Sequence, residues 1–123
     1  GNDTLKGQWL DNVLDSGAGN DTLIGNGGND TLIGGLGDDS LKGGTEADIF
    51  RFSSNDGNDV IKDFKVSQGD KIQLMKSEND SSDLTYSAQG NHTVITWHDL
   101  TITVNNIQDH DQIAQHIEWM MIG

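Results

Sequence analysis

The sequence has no cysteine and few basic residues, and these absences exclude several classes of protein. Without cysteine, its 123 residues form neither a disulfide framework nor a thiolate metal site. The chain carries 20 Asp and Glu against 7 Lys and Arg, and the net charge of −13 argues against nucleic acid or an anionic membrane as a direct partner. No run approaches the ~18 apolar residues of a spanning helix, so no membrane span is predicted. Cations are the natural partners of such a chain.

The length suits one domain, or one module of a larger polypeptide. Glycine is distributed unevenly, because 12 of the 16 glycines lie within residues 1–44. We therefore expect two regions, a glycine-rich region over residues 1–52 and a second region over residues 53–123.

The glycine-rich region repeats a nine-residue unit in which Asp or Asn stands two residues before a large apolar residue. The acidic positions are Asp3, Asn12, Asp21, Asp30, Asp39 and Asp48. The apolar positions are Leu5, Leu14, Leu23, Leu32, Leu41 and Phe50. A disordered Gly/Asn/Asp linker has the same composition, but it would not hold both registers over six units. The repeat therefore predicts an ordered, stacked structure.

Each unit has room for one short strand and one tight turn. Nine residues are too few for a two-helix repeat, and the glycines oppose any helix. Glycine permits positive φ in a turn, and Thr-Leu-Ile suits a strand. If each turn reverses the chain, two units complete one coil and successive coils stack as parallel strands. The expected inward columns are Leu5, Leu23 and Leu41 in one sheet, and Leu14, Leu32 and Phe50 in the other.

This stacking brings carboxylates together. Parallel strands lie about 4.8 Å apart, so Asp21 and Asp39 would repel by about 3.5 kcal/mol at an effective dielectric near 20. A hard cation with oxygen ligands at about 2.3–2.6 Å spans the same gap, and the backbone carbonyls of glycine loops supply further ligands. Calcium suits such loops better than magnesium, which demands a stricter octahedron.

Residues 25–33, Gly-Asn-Gly-Gly-Asn-Asp-Thr-Leu-Ile, and residues 34–42, Gly-Gly-Leu-Gly-Asp-Asp-Ser-Leu-Lys, resemble the Gly-Gly-x-Gly-x-Asp-x-apolar-x nonapeptides of the repeats-in-toxin (RTX) family. The resemblance implies an all-β fold, a right-handed parallel β-roll with two nonapeptides per coil and a β-rich cap with one short helix. It also implies about three to five calcium ions in the turns. In that family each ion takes the second and fourth carbonyls and the Asp of one loop, with the first and third carbonyls and the Asp of the loop one coil later.

Carried over to this chain, the resemblance implies three sites and one doubtful site. The first comprises Gly17, Gly19, Asp21, Gly34, Leu36 and Asp39. The second comprises Asn26, Gly28, Asp30, Gly43, Thr45 and Asp48. The third, with one ligand missing, comprises Gly1, Asp3, Ser16, Ala18 and Asp21. The fourth pairs Asn12 with Asp30 through Gln8, Leu10, Gly25 and Gly27, and it departs from the family pattern, so we expect it to be weak or empty.

The second region reads as a C-terminal flanking cap. Residues 48–74 resemble the segment that follows the last RTX nonapeptide, in which an Asp of an Asp-x-Ile-x-Asp-Phe run closes a final calcium site, and Asp59 is the candidate here. Alternating patterns predict strands over residues 84–86, 92–97 and 100–104, with a hairpin loop over residues 89–91.

The end of the cap is predicted to contain a helix and an apolar plug. Residues 109–121 have an acidic start and a stripe of apolar residues spaced for a helix. Because a roll exposes open coil ends, we also expect a plug containing Trp97 and Trp119 at its C-terminal end.

No catalytic residue and no organic cofactor are predicted. The chain contains neither a Gly-x-Ser-x-Gly elbow nor a zinc-binding His-Glu-x-x-His motif. The four histidines have no metal-like spacing, and the glycine loop at residue 25 is not followed by the Gly-Lys-Ser/Thr of a phosphate loop. Asp80 and Asp83 read as part of a solvated acidic loop.

Two functions of different classes remain. In the first, the chain is a calcium-binding module that is unfolded at low cytosolic calcium and folds outside the cell. The RTX resemblance implies bacterial type I secretion to the exterior or cell surface, as part of a larger adhesin, toxin, protease, lipase or alginate epimerase. In the second, it is an accessory or adhesion module that binds a polysaccharide such as a polyuronate. A local cluster of basic residues in the cap would assist the second function, namely Lys62, Lys65, Lys71 and Lys76. Catalysis by the module itself ranks third.

Overall fold

The computed structural model describes residues 2–53, 56–76, 84–105, 107 and 110–121. Most of them form short strands joined by turns, and the expected β-rich fold is confirmed. The strands are β1 Thr4–Lys6, β2 Val13–Asp15, β3 Thr22–Ile24, β4 Thr31–Ile33, β5 Ser40–Lys42, β6 Ile49–Ser53, β7 Gly57–Ile61, β8 Lys71–Lys76, β9 Thr85–Gln89, β10 His92–Trp97, β11 Leu100–Val104 and β12 Ile117–Met121. One helix, α1 His110–Ala114, and one 3-10 turn, Val66–Gln68, complete the described elements. The candidate ligand Gly1 and the acidic loop with Asp80 and Asp83 lie outside the described residues.

The repeats alternate between two sheets, as the nine-residue register predicts. One sheet has the order β1-β3-β5-β7-β11-β10-β9, and the other has the order β12-β8-β6-β4-β2. Each repeat contributes a three-residue strand, and its central residue points inward because side chains alternate along a strand. The parallel pairings align Leu5 with Leu23 and Leu23 with Leu41 in the first sheet. In the second sheet they align Leu14, Leu32 and Phe50. Both predicted columns are confirmed.

The two apolar columns continue beyond the last repeat. In the first sheet Leu41 aligns with Ile61, and Ile61 with Val104. In the second sheet Phe50 aligns with Ile72, and Ile72 with Ile117. The core is therefore continuous from the repeats into the C-terminal region, and the boundary after residue 52 stays a prediction.

The first sheet ends in an antiparallel segment formed by β9, β10 and β11. A turn at Gly90 and Asn91 joins β9 to β10, which confirms the predicted hairpin. On β10, Trp97 is buried, and its ring meets the ring of Trp119 on β12 edge to face with centroids 5.2 Å apart. The predicted tryptophan plug therefore joins β10 of the first sheet to β12, the edge strand of the second.

The predicted helix over residues 109–121 is wrong for most of its length. The helix is limited to α1, and residues 117–121 form strand β12, which pairs in parallel with β8. The backbone of β8 would otherwise be an unpaired sheet edge, and the N–H of Ile72 instead donates to the carbonyl of His116 at 2.9 Å. Tertiary pairing thus overrides the helical stripe, because Ile117 completes the second apolar column. In the part of the chain that the structure describes, no helix has the length and apolar character of a membrane span.

Candidate metal centre

The Asp residues on the side of the first sheet form a ladder of hydrogen bonds along the roll. Each Oδ1 accepts a hydrogen bond from the backbone N–H of the equivalent residue one coil earlier. The N–H of Asp3 donates to Asp21 at 2.6 Å, that of Asp21 donates to Asp39 at 2.9 Å, and that of Asp39 donates to Asp59 at 2.8 Å. The first ladder therefore runs unbroken from the first repeat into β7.

A second ladder runs along the opposite side. The N–H of Asn12 donates to Oδ1 of Asp30 at 2.8 Å, and that of Asp30 donates to Asp48 at 2.9 Å. The N–H of Asp48 donates to Oδ1 of Asp70 at 2.9 Å. The coil spacing lengthens from 18 residues within the repeats to 22 at this last step. Asp70 thus continues the ladder although it lies outside the nine-residue register.

The second carboxylate oxygen, Oδ2, is buried without any hydrogen-bond partner at five of these positions. The five are Asp21, Asp30, Asp39, Asp48 and Asp59. The residues are at most 2% exposed, so water does not compensate the oxygens from outside. A buried oxygen anion without a partner is strongly unfavourable, and five equivalent cases indicate one shared type of missing partner. Hard oxygen donors on adjacent coils fit a calcium ion.

The first glycine of a repeat lies close against the unpaired oxygen. A Cβ atom at Gly25 would fall 2.5 Å from Oδ2 of Asp30, and one at Gly34 would overlap Oδ2 of Asp39. Gly43 stands in the same relation to Asp48. The loops therefore approach the carboxylates more closely than most residues with a side chain would permit.

Burial raises the pKa of these carboxyl groups, because an unpaired charge is disfavoured away from water. The pKa of Asp48 rises from its ordinary value of 3.8 to about 7. Burial likewise raises the pKa of Asp39 to about 6 and that of Asp59 to about 8, and the nearby charge of Asp39 adds to the upward shift of the Asp59 pKa. The pKa values of Asp30 and Asp70 are also raised by burial. Without a cation, the folded roll favours protonated carboxyl groups.

The structure places the residues of the first implied site on adjacent coils. The N–H of Gly19 donates to the carbonyl of Leu36 at 3.0 Å, and the hydroxyl of Ser16 donates to that of Gly34 at 3.1 Å. In the second implied site, the carbonyl of Asn26 accepts from the N–H of Thr45 at 3.1 Å. A carbonyl has two lone pairs, so these bonds leave room for an ion. The individual ligand assignments stay predictions.

A site of this kind has few carboxylates and many carbonyls. Across the described ranges, no three Asp, Glu or His side chains converge on one point that could hold a metal. The predicted sites need only two Asp side chains each, with the remaining ligands drawn from the backbone. Each predicted ion would therefore receive its negative charge from two successive Asp side chains of one ladder.

Sequence reasoning missed Asp63 and Asp70, whose carboxylates accept hydrogen bonds from backbone N–H groups of the last repeat loop. Both oxygens of Asp70 have partners, because Oδ2 accepts from the N–H of Lys65 at 2.9 Å. Asp63 accepts from the N–H groups of Gly43 and Gly44, each at 2.8 Å. For Asp70, the sequence offered a signal in Asp-Lys-Ile at residues 70–72, which repeats the Asp-x-apolar spacing. Asp63 is the second Asp of the Asp-x-Ile-x-Asp-Phe run at residues 59–64, in which Asp59 is the predicted ligand, but its contact with Gly43 and Gly44 depends on the path of the loop.

A further ladder, formed by the residue before each Asp, also escaped the sequence analysis. Here the side-chain oxygen accepts from the coil that follows, in the opposite sense to the Asp ladders. On one side, Asn2 accepts from the N–H of Asn20 at 2.9 Å, and Asn20 from that of Asp38 at 2.8 Å. On the other side, Asn29 accepts from the N–H of Ala47 at 3.0 Å. This outer ladder connects the coils without a cation, and the recurring Asn or Asp before the repeat Asp was its signal.

A cleft of about 790 Å³ lies beside the loops, between the first coil and the segment that precedes β8. Trp9 stands at one end with 82% of its surface exposed, and its ring lies directly over Gly27. Lys42 and Lys65 contribute to the lining, and no carboxylate of a described residue pairs with either of them. The rest of the lining combines glycines and Ile24 with the carboxylate of Asp63 and four amide or hydroxyl side chains, those of Gln8, Asn26, Thr45 and Gln68.

Two of the four lysines in the predicted basic cluster of the cap, Lys71 and Lys76, have interaction partners. Lys71 lies 3.5 Å from a carboxylate oxygen of Glu118, and the ammonium of Lys76 lies 4.7 Å from the centre of the Trp119 ring. Lys62 and Lys65 line a second cleft of about 770 Å³ beside α1.

The chain resembles known proteins in both sequence and structure. The family model for the RTX calcium-binding nonapeptide repeat matches residues 1–23 and 7–41, with four copies of the repeat. The comparison with curated proteins finds no significant relative.

Three solved structures share the fold. The AlgE6R3 subunit of the Azotobacter vinelandii mannuronan C5-epimerase is 28% identical with a TM-score of 0.68, over 94% of this chain and 77% of that one. The AlgE6R2 subunit of that epimerase is 26% identical with a TM-score of 0.61, over 92% and 90%. The extracellular lipase LipA of Serratia marcescens is 28% identical with a TM-score of 0.60, over 93% of this chain but only 20% of the lipase.

These similarities agree with the ladders of paired Asp residues and the glycine loops. The nonapeptide match covers three of the five residues with an unpaired Oδ2 atom, Asp21, Asp30 and Asp39, and the structural similarity extends over the parallel roll and the strands that follow. Proteins of this kind are calcium-binding and extracellular. Residues 1–41 of this chain therefore match the RTX calcium-binding nonapeptide repeat family.

Proposed function

We propose that this chain is a calcium-dependent folding module of a larger, type I secreted bacterial protein, and that it has no catalytic activity of its own. The observation that carries the proposal is the set of five buried Oδ2 atoms without partners. In a cytosol with little free calcium, their charge and the thin repeat core oppose folding. Outside the cell, calcium binds the folded state only and stabilises it by mass action. The unfolded chain passes the secretion channel, and the folded module stabilises its host.

The proposed ions, three to five in number, lie between successive Asp residues of each ladder. Asp39 is the most informative residue, because it lies between Asp21 and Asp59 and belongs to two consecutive pairs. Asp59 is proposed as the ligand that closes the first ladder. Asp70 is not proposed as a ligand, because both of its oxygens are already hydrogen-bonded.

The proposal is tested by calcium titration of the wild type and of Asp39→Asn. For the wild type, far-UV circular dichroism should show a cooperative gain of β signal with calcium, reversed by chelator and not reproduced by magnesium. Asp39→Asn should need at least tenfold more calcium and retain fewer ions in native mass spectrometry, because two pairs lose a charge.

The matched control is Asp38→Asn. This substitution removes the same charge one residue away. The side-chain oxygen of Asp38 accepts from the N–H of Asn58, and the amide oxygen of Asn20, at the equivalent position one coil earlier, accepts the same kind of bond, so an asparagine fits residue 38. Its midpoint should stay near that of the wild type. Full β signal in chelator, unchanged by calcium, would contradict the proposal.

A second candidate function, recognition of a polysaccharide, is favoured by the cleft beside Trp9. An open indole face stacks on a sugar ring, and the amides and lysines of the lining provide hydrogen bonds to hydroxyl or carboxylate groups. The lining comes from three successive coils, through Trp9, Gly27 and Thr45, so the cleft runs across coils stacked about 4.8 Å apart, which suits a chain of saccharide units.

Affinity electrophoresis in gels containing neutral or uronic-acid polysaccharides tests this function, with calcium and with chelator. Retardation lost in Trp9→Ala but kept in Leu10→Ala, its exposed neighbour, would support it. Equal mobility of all three proteins in every gel would exclude the cleft as a glycan site.

A further inference from the structure

The loop over residues 7–12, which joins β1 to β2, differs from the other repeat loops in its backbone. Every other loop has positive φ at its second and fourth residues. The values are 74° and 120° at Gly17 and Gly19, 68° and 91° at Asn26 and Gly28, 78° and 109° at Gly35 and Gly37, and 90° and 70° at Gly44 and Glu46. At the corresponding residues, Gln8 and Leu10, φ is not positive. The carbonyls of this loop therefore take different directions from those of the calcium-type loops.

The side-chain amide of Asn12 binds the carbonyls that the family pattern assigns to an ion. Its Nδ2 donates to the carbonyl of Leu10 at 2.6 Å and approaches that of Gln8 at 3.4 Å. A second amide, that of Asn26, donates to the carbonyl of Gly7 at 2.8 Å. The carbonyls of this loop thus already accept hydrogen bonds from side-chain amides, that of Asn12 in the loop itself and that of Asn26 one coil later.

We infer that the Asn12 amide replaces a cation in this loop, so that the loop over residues 7–12 closes without calcium while its neighbours bind the ion. The residues present do not fit calcium, because the amide hydrogens point their positive ends at the same carbonyls that the ion would use. From the next coil, the carboxylate of Asp30 faces the loop and accepts a hydrogen bond from the N–H of Asn12. The inference rests on the proposed function in one respect, because it contrasts this loop with the other loops, which are proposed to bind calcium.

The Asp/Asn choice at the sixth position of a repeat therefore decides between a metal-closed and an amide-closed coil. The amide-closed coil stands in the first turn of the roll and holds Trp9 over Gly27. Replacing Asn12 by Asp removes both amide hydrogens and adds a carboxylate, and replacing Leu10 by Gly permits the positive φ of the other loops. The double variant Asn12→Asp/Leu10→Gly should convert the loop into an additional calcium site.

Native mass spectrometry of the full chain at saturating calcium counts the ions and tests the inference. Asn12→Ala should retain as many ions as the wild type, since no ligand is lost. The double variant should retain one more. Asn20→Asp is the matched control, because it adds the same charge at an outer-ladder position that is not part of any implied site, and its ion count should be unchanged.

Loss of an ion in Asn12→Ala would overturn the inference, because it would make Asn12 a ligand. Equal counts in the double variant and in Asn20→Asp would overturn it as well. A wild type that retains no ion would instead overturn the proposed function, while a gain of one ion confined to the double variant would still support the amide-closed loop.

Discussion

At the scale of single residues, the buried carboxyl groups couple the folding of the roll to protons as well as to calcium. The pKa of Asp48 is about 7 in the folded chain against 3.8 ordinarily, so the folded state binds a proton that the unfolded state releases between these values. Burial raises the pKa values of Asp39 and Asp59 in the same direction. A group whose pKa rises on folding stabilises the folded state at low pH and loses that contribution as the pH passes the folded value.

Acid should therefore partly substitute for calcium. In the presence of chelator, lowering the pH from about 8 to about 5 should increase the β signal of the chain, with no further gain below about 3.8, where both states are protonated. In a calcium titration the same acidification should lower the calcium concentration at the folding midpoint, because protonation of these carboxyl groups already stabilises the folded state. Circular dichroism at fixed temperature measures both effects. A β signal that falls steadily on acidification in chelator would show that other charges dominate.

At the scale of the elements, stacking of the three-residue strands is supported by side chains as well as by the strand backbone. A strand of this length contributes few backbone bonds, and the outer ladder adds bonds that need no cation. Because Asn29 accepts from the N–H of Ala47, its oxygen connects the loop before β4 to the loop before β6, one coil later. Each such bond is expected to contribute about 1 kcal/mol.

Asn29→Ala should consequently lower the free energy of unfolding by about 1 kcal/mol at saturating calcium without changing the number of bound ions. Denaturant unfolding and native mass spectrometry provide the two readouts. The control is Asn58→Ala, in which an exposed asparagine is shortened but the bond from its backbone N–H to Asp38 is kept. An equal loss in both variants would assign the effect to the removal of an exposed asparagine side chain rather than to the ladder.

The elements of the C-terminal region show where sequence patterns no longer predict the secondary structure. The hairpin was predictable, because alternating residues flank a turn at Gly90 and Asn91. Strand β12 was not, since Ile113 and Ile117 also satisfy a helical spacing. The open edge of β8 decides between the two, and that edge exists only after the second sheet has formed.

At the scale of the whole molecule, the continuous columns make the repeats depend on the region that follows them. Leu41 packs against Ile61, and Phe50 against Ile72, so the last repeats have no completed core of their own. Asp59 and Asp70 also supply the acceptors for the backbone of Asp39 and Asp48.

A chain that ends at residue 52 should therefore stay unfolded at millimolar calcium. Removal of residues 53–123 turns β5 and β6 into open edges and exposes two apolar residues, while the remaining coils bury too little surface to fold. Calcium titration followed by circular dichroism, alongside the full chain, makes the comparison. Cooperative folding of the short chain at the calcium midpoint of the full chain would instead establish residues 1–52 as an autonomous domain.

The sequence by itself determined the parallel stacking, the two apolar columns and the pairing of Asp residues one coil apart, because a strict nine-residue period leaves only one register that turns all six apolar repeat positions inward. The tertiary structure alone decided that Asp70 joins the second ladder, that residues 117–121 form a strand and that the Asn12 amide closes its own loop. The physical reason is that the first set follows from contacts at a constant sequence separation. The second set depends on loop paths and sheet edges, whose positions the period does not specify.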